Sequence, residues 1–151
     1  MPLVAIVMGS KSDTELIEPA SNILKDFGIQ TEIVVISAHR TPEKAREYAQ
    51  NARQRGVEVI IAAAGGAAHL PGVLASWTTL PVIGVPLATS ELKGVDALYS
   101  IVQMPGGIPV ACVSVGSWGV KNAAYLAAEI LGLKYNSISQ VLEKYRAELA
   151  Q

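Results

Sequence analysis

A histidine and an arginine stand side by side in Ser37-Ala38-His39-Arg40-Thr41-Pro42, between a β-branched run and a helical pattern that begins near Glu43. Imidazole titrates close to neutral pH, so His39 suits general acid/base work, a role worth about 10²–10⁴ in rate. The Arg40 guanidinium can grip a phosphate or carboxylate through two parallel hydrogen bonds. Its plainer use is a surface ion pair. Thr41 is a favourable N-cap, and Pro42 suits the first helical position, where its missing N–H has no partner to lose. A helix N-terminus beside a cation and a titratable ring fits an anionic substrate that gains or loses a proton.

Two other segments carry groups of the same kind. Gly9-Ser10-Lys11-Ser12-Asp13 follows an apolar run and precedes a helical pattern. Its N–H groups and the Ser10 and Ser12 hydroxyls could cradle a phosphate, or the segment could simply cap a helix. It has neither the Gly-x4-Gly-Lys spacing of a P-loop nor the Gly-x-Gly-x-x-Gly of a dinucleotide site. Ala64-Gly65-Gly66-Ala67-Ala68-His69-Leu70-Pro71-Gly72 is almost free of side-chain bulk. Such residues let a ligand approach the backbone closely, although tight helix packing also uses them. Both histidines of the chain, His39 and His69, fall in these loops.

The elements that must position these loops read clearly. Leu3 to Val7, Glu32 to Ile36, Val57 to Ala62, Val82 to Val85 and Val110 to Val115 are expected strands. Their nearly unbroken apolar character fits parallel strands buried on both faces. Helical patterns lie between them. The first carries Leu16, Ile17, Ala20, Leu24 and Phe27, with Pro19 expected to bend it or delay its start. The second carries Ala45, Tyr48, Ala49 and Ala52, and Gly56 ends it. A short helix is expected after Pro71 and another from about Val95 to Gln103. The fifth, Val120 to Leu131, is apolar almost all round, as a helix buried on more than one side would be. A last amphipathic helix, about 136–150, is expected to pack on a neighbouring subunit.

This alternation predicts an α/β three-layer sandwich: a flavodoxin-like parallel five-stranded sheet, order 2-1-3-4-5, with helices on both faces. Residues 1–151 read as a single domain, without internal repeat or linker. Ligands of such folds bind beyond the carboxyl ends of the strands, where strand order reverses. The three loops above occupy that edge.

Composition narrows the partners. Of the 151 residues, 50% are hydrophobic and 17% are charged, below the usual charged share of about 25%. So little charge predicts a homo-oligomer that hides further apolar surface. A net charge of −1 offers no basic patch for nucleic acid or an anionic membrane. Cys112 is the only cysteine, which excludes an intrachain disulfide, and its apolar setting reads as a small core residue. No metal site is expected, since ligand-like spacing is absent. No stretch approaches the ~20 apolar residues of a membrane span, and no signal peptide is seen, so a cytoplasmic location is expected.

Taken in order, the three loops closely resemble the N5-carboxyaminoimidazole ribonucleotide mutase family of purine biosynthesis. Gly84-Val85-Pro86, Gly94 to Ser100 and Gln103-Met104-Pro105 extend the likeness to about residues 4–132. The resemblance implies a cofactor-free carboxylate transfer from the exocyclic nitrogen of an aminoimidazole ribonucleotide to ring carbon C4. It implies His39 as general acid and then base. Ser10, Ser12 and Arg40 would hold the 5′-phosphate, and Asp13 would accept from the ribose. Ser37, Gly66, Ala67, His69 and Leu70 would complete the substrate pocket, small and dry enough to retain CO2. An octamer is implied as well. Related carboxylases that use free CO2 tend to carry lysine after the histidine and to lack the Thr-Pro, so Arg40-Thr41-Pro42 favours the mutase. A phosphate-binding sensor module would need the cradle but not His39.

Overall fold

Two apolar cores, one on each face of a five-stranded parallel sheet, organise the chain. The computed structural model describes residues 1–151. The strands are β1 (Leu3–Met8), β2 (Gln30–Val35), β3 (Val57–Gly65), β4 (Val82–Leu87) and β5 (Ala111–Cys112). They lie in the order β2-β1-β3-β4-β5, every neighbouring pair parallel, as the sequence predicts. Alternate residues of the central strands face opposite helix layers. Ile6, Ile61 and Val85 pack with α1 (Thr14–Asp26) and α5 (Ser117–Gly132). Ala5, Ile60 and Val82 pack with α2 (Pro42–Ala52), α3 (Leu70–Ser76) and α4 (Val95–Val102). Burial on both sides explains why these strands read as continuous apolar runs.

Three local expectations change. Pro19 does not delay α1, which runs unbroken from Thr14 after a 3₁₀ turn at Lys11–Asp13; the helix gives up one N–H donor at that residue. The fifth strand is only two residues long, not the whole of Val110 to Val115. Ser114 takes φ 116°, which ends the extended run, and the Gly116 N–H then donates to the Pro86 carbonyl at 2.8 Å. Thr41 precedes α2, but its hydroxyl does not cap the helix: it donates back to the Ser37 carbonyl at 2.8 Å. The apolar girth of α5 has a cause within the chain. Its second side lies under α6 (Asn136–Leu149), where Ile138 is buried and Tyr125 stacks on Tyr145 with ring centres 4.7 Å apart. The C-terminal helix rests on α5 of its own chain, and Arg146 Nη2 reaches Glu129 Oε1 at 2.8 Å. Leu149 stays exposed.

The sheet's amino edge is tied separately. Glu58, at the start of β3, accepts from Lys134 Nζ and from the Tyr135 hydroxyl, the latter at 2.9 Å. This fixes the α5–α6 turn to the edge opposite the three loops. Tyr48 and Arg55 likewise converge on Glu32 in β2. No helix is long and apolar enough to cross a membrane.

Close packing between β4 and its helices depends on Gly84. A Cβ there would lie 2.5 Å from Ile101 Cγ2, 3.0 Å from Val110 Cγ1 and 3.2 Å from Pro71 Cβ. Three separate elements would have to move. Gly84→Ala should therefore destabilise the fold by about 1–3 kcal/mol, as overpacking does. Urea unfolding measures it, and an unchanged midpoint would mean that the contact relaxes freely.

Candidate active site

The carboxyl ends of β1, β2 and β3 open onto a cavity of ≈ 380 Å³, at the strand-order reversal between β1 and β3. Its wall includes Ser10, Ser12, Asp13, Ser37, His39, Arg40, Ala67, His69 and Leu70. Nine of the ten residues marked by the sequence therefore meet in one place. Gly66 is the exception. It sits at φ 60° and turns the loop, while Gly65 contributes the backbone that lines the floor.

The β1 loop is built by its own hydroxyls. Ser10 Oγ accepts from the Ser12 N–H at 3.3 Å and pairs with Ser12 Oγ at 2.8 Å. The two oxygens thus face each other over the 3₁₀ turn, close enough to act on one ligand oxygen. Asp13 is the only buried charged side chain, 7% exposed. Burial pushes its carboxyl up from the ordinary aspartate value, opposed by a backbone hydrogen bond at Ser10. No cation compensates this charge within the chain, which is how a ligand-facing acceptor differs from a structural one.

Ser37 organises the second loop. Its hydroxyl accepts from the Arg40 N–H at 3.1 Å, and its carbonyl accepts from the Thr41 N–H at 2.9 Å and from the Thr41 hydroxyl. The loop closes on itself before α2 starts. His39 and Arg40 are held at its exposed tip, over the cavity. Sequence reading gave the capping role to Thr41, but the turn is set from Ser37.

His39 Nε2 lies 2.7 Å from His69 Nδ1, and the rings meet edge to face with centres 4.8 Å apart. One of these two nitrogens must carry the hydrogen and the other must be bare. The β2 and β3 loops are thus joined through the two groups best suited to move a proton. Leu70 is buried below them, and Ala68 points into the core instead of the cavity.

Thr89, just beyond β4, also lines the cavity and has no counterpart in the sequence expectations. The signal that could have found it is topological: the rule that placed function after β1, β2 and β3 applies equally to the next strand. Cys112 is half-buried in β5 and burial pushes its thiol up, which disfavours the reactive thiolate. No three His, Cys, Asp or Glu side chains gather in a group that could hold a metal ion.

Known proteins resemble this chain over nearly its whole length. The family model described as AIR carboxylase matches residues 3–151. The N5-carboxyaminoimidazole ribonucleotide mutase of Thermotoga maritima is 57% identical over 149 residues, 99% of this chain and 86% of that protein. The protein of the same name from Bacillus subtilis is 53% identical over 150 residues, covering 99% of this chain and 93% of its own length. The crystal structure of Treponema denticola PurE superposes with a TM-score of 0.87 at 32% identity, covering 100% of this chain and 93% of that one. Sequence match across both ends and a common fold leave one assignment: the chain belongs to the AIR carboxylase family.

Proposed function

We propose that this chain is an N5-carboxyaminoimidazole ribonucleotide mutase, an isomerase of purine biosynthesis. The observation that carries the reading is one cavity that gathers a hydroxyl loop, a guanidinium and a paired histidine. It occurs in a chain 57% identical to a protein of that name. Ser10, Ser12 and Arg40 hold the 5′-phosphate, where two hydroxyls and a forked cation match its oxygens. Asp13 accepts from the ribose hydroxyls. His39 protonates the exocyclic nitrogen as the N–C bond of the carbamate breaks and CO2 leaves. Ring carbon C4 then attacks the trapped CO2, and His39 removes the C4 proton. The proton lent in the first half is recovered in the second, so the isomerisation needs no redox partner. Ser37, Gly66, Ala67, His69 and Leu70 enclose the ring end, and Gly66 does so through the backbone turn it permits.

Apolar residues on the outer surface support a homo-oligomer. Val95, Tyr99 and Val102 fall on one side of α4 and are 52%, 68% and 46% exposed, and Trp118 is 74% exposed. We extend the reading to an octamer working in the cytoplasm. Light scattering should give a mass several times that of one 15.9 kDa chain; a monomer at micromolar concentration would refute it.

The family description favours a second reading, a carboxylase that takes free CO2. One assay separates the two. Purified protein should convert the N-carboxy nucleotide without added bicarbonate, and His39→Asn should cut that turnover by about 10²–10⁴-fold while the nucleotide still binds. Turnover only from aminoimidazole ribonucleotide plus excess bicarbonate would replace the mutase by the carboxylase. Unchanged turnover in the variant would remove His39 from the chemistry.

Asp13 carries a stability signature of its role. Its folded pKa lies above the ordinary value of 3.8. The neutral acid is therefore the form the fold tolerates, and stability is lost as pH rises from below 3.8 through the raised value. Asp13→Asn should raise Tm at pH 7 by about 2–4 °C and confer no advantage near pH 3. It should also weaken nucleotide binding roughly 10–100-fold. A lower Tm at pH 7 would mean that the carboxylate is structural.

A further inference from the structure

The loop after β4 presents one hydroxyl to the cavity and is held there by a device that does not itself touch the site. Leu87 ends β4 opposite Gly65. Thr89 follows two residues later and packs directly over Gly65, so that a Cβ on Gly65 would run into Thr89 Oγ1. The loop behind it is closed by Ser90. Ser90 Oγ donates to Asp96 Oδ2 and accepts from the Leu92 N–H at 3.3 Å, and its carbonyl accepts from the Lys93 N–H at 3.0 Å. Lys93 at φ 55° and Gly94 at φ 93° turn the chain back into α4. Asp96 stands in the first turn of that helix, where a carboxylate is favoured. The Ser90 hydroxyl, with the backbone N–H groups around Gly94 and Ala97, holds its carboxyl below the ordinary value. This clasp ties the loop to the start of α4.

We propose that Thr89 is a specificity-determining contact, its hydroxyl binding the carboxylate carried on the substrate ring, and that Asp96 is the residue that positions it through Ser90. The proposal rests on the functional reading above, which puts the phosphate at the β1 and β2 loops. Strand order then decides what lies at the other end. From β1 to β4 is two strand spacings, about 10 Å, with β3 and its His69 loop between them and His39 reaching His69 from the β2 side. A nucleotide anchored by Ser10, Ser12 and Arg40 projects its ring past the histidines toward Thr89. The polar group on that ring needs a partner where the floor is otherwise Ala64, Gly65 and Ala67. A preplaced hydroxyl meets that need and loses little entropy on binding. It also distinguishes a ring bearing a carboxylate from one without, since only the carboxylate accepts the hydrogen of the hydroxyl.

Calorimetry with two ligands tests this. Thr89→Val keeps the shape and removes the hydroxyl. It should bind ribose 5-phosphate as the wild type does and bind 4-carboxy-5-aminoimidazole ribonucleotide about tenfold more weakly, with Thr89→Ser restoring most of the loss. Asp96→Asn should lose part of the same affinity alone and nothing further in the Thr89→Val background. Equal binding of the carboxylated nucleotide by Thr89→Val and wild type would overturn the contact, as would equal weakening of both ligands. Additive losses in the double variant would overturn the positioning role of Asp96. A wild type that binds ribose 5-phosphate but not the carboxylated nucleotide would overturn the functional reading itself, and the proposal with it.

Discussion

Central strands covered on both faces leave a parallel sheet only one free place for polar chemistry, its carboxyl edge. In this chain β1, β3 and β4 are sealed between α1 and α5 on one side and α2, α3 and α4 on the other. Their side chains are committed to packing, and their backbone groups to the ladder. Whatever binds or reacts must project from the segments that leave the strands. The reversal of strand order between β1 and β3 then opens a gap between helices, which the cavity occupies. Position in the sheet, more than any single residue, puts Ser10, His39, Arg40 and His69 within reach of one small ligand.

The site departs from the rules that govern the cores around it. Asp13 is buried without a compensating cation, and the two histidines meet where only one hydrogen fits between them. Burial of the Asp13 carboxylate runs against stability and is a cost the fold carries at this edge. The Ser37 turn and the Ser90–Asp96 clasp share one means: short loops closed by their own hydroxyls hold exposed side chains without packing against them.

Much of this was readable before the structure. Strands buried on both faces announce themselves by unbroken apolar runs, which is why β3 and β4 and the strand order were legible. The histidines were legible because helix-start and glycine signals bracketed them. Misreadings have a common physical origin in tertiary context. The Val110 to Val115 run looked like a full strand, but Ser114 adopts a left-handed backbone angle that no local propensity announces. Thr41 had the right chemistry for a cap and spent it on Ser37 instead. Thr89 was invisible because nothing in its neighbours distinguishes a hydroxyl over a glycine from one in water.

The brevity of β5 has a consequence for how copies of this chain can meet. An edge strand with free N–H and C=O groups invites another chain to add itself to the sheet. Here the β5 edge offers only Ala111 and Cys112 before the backbone turns away. At the opposite edge, Lys44 Nζ reaches the Val35 carbonyl at 3.4 Å where β2 ends. The β5 margin is thus a poor template for strand addition. At this margin, strand addition between copies is disfavoured, and any contact there falls to side-chain surfaces.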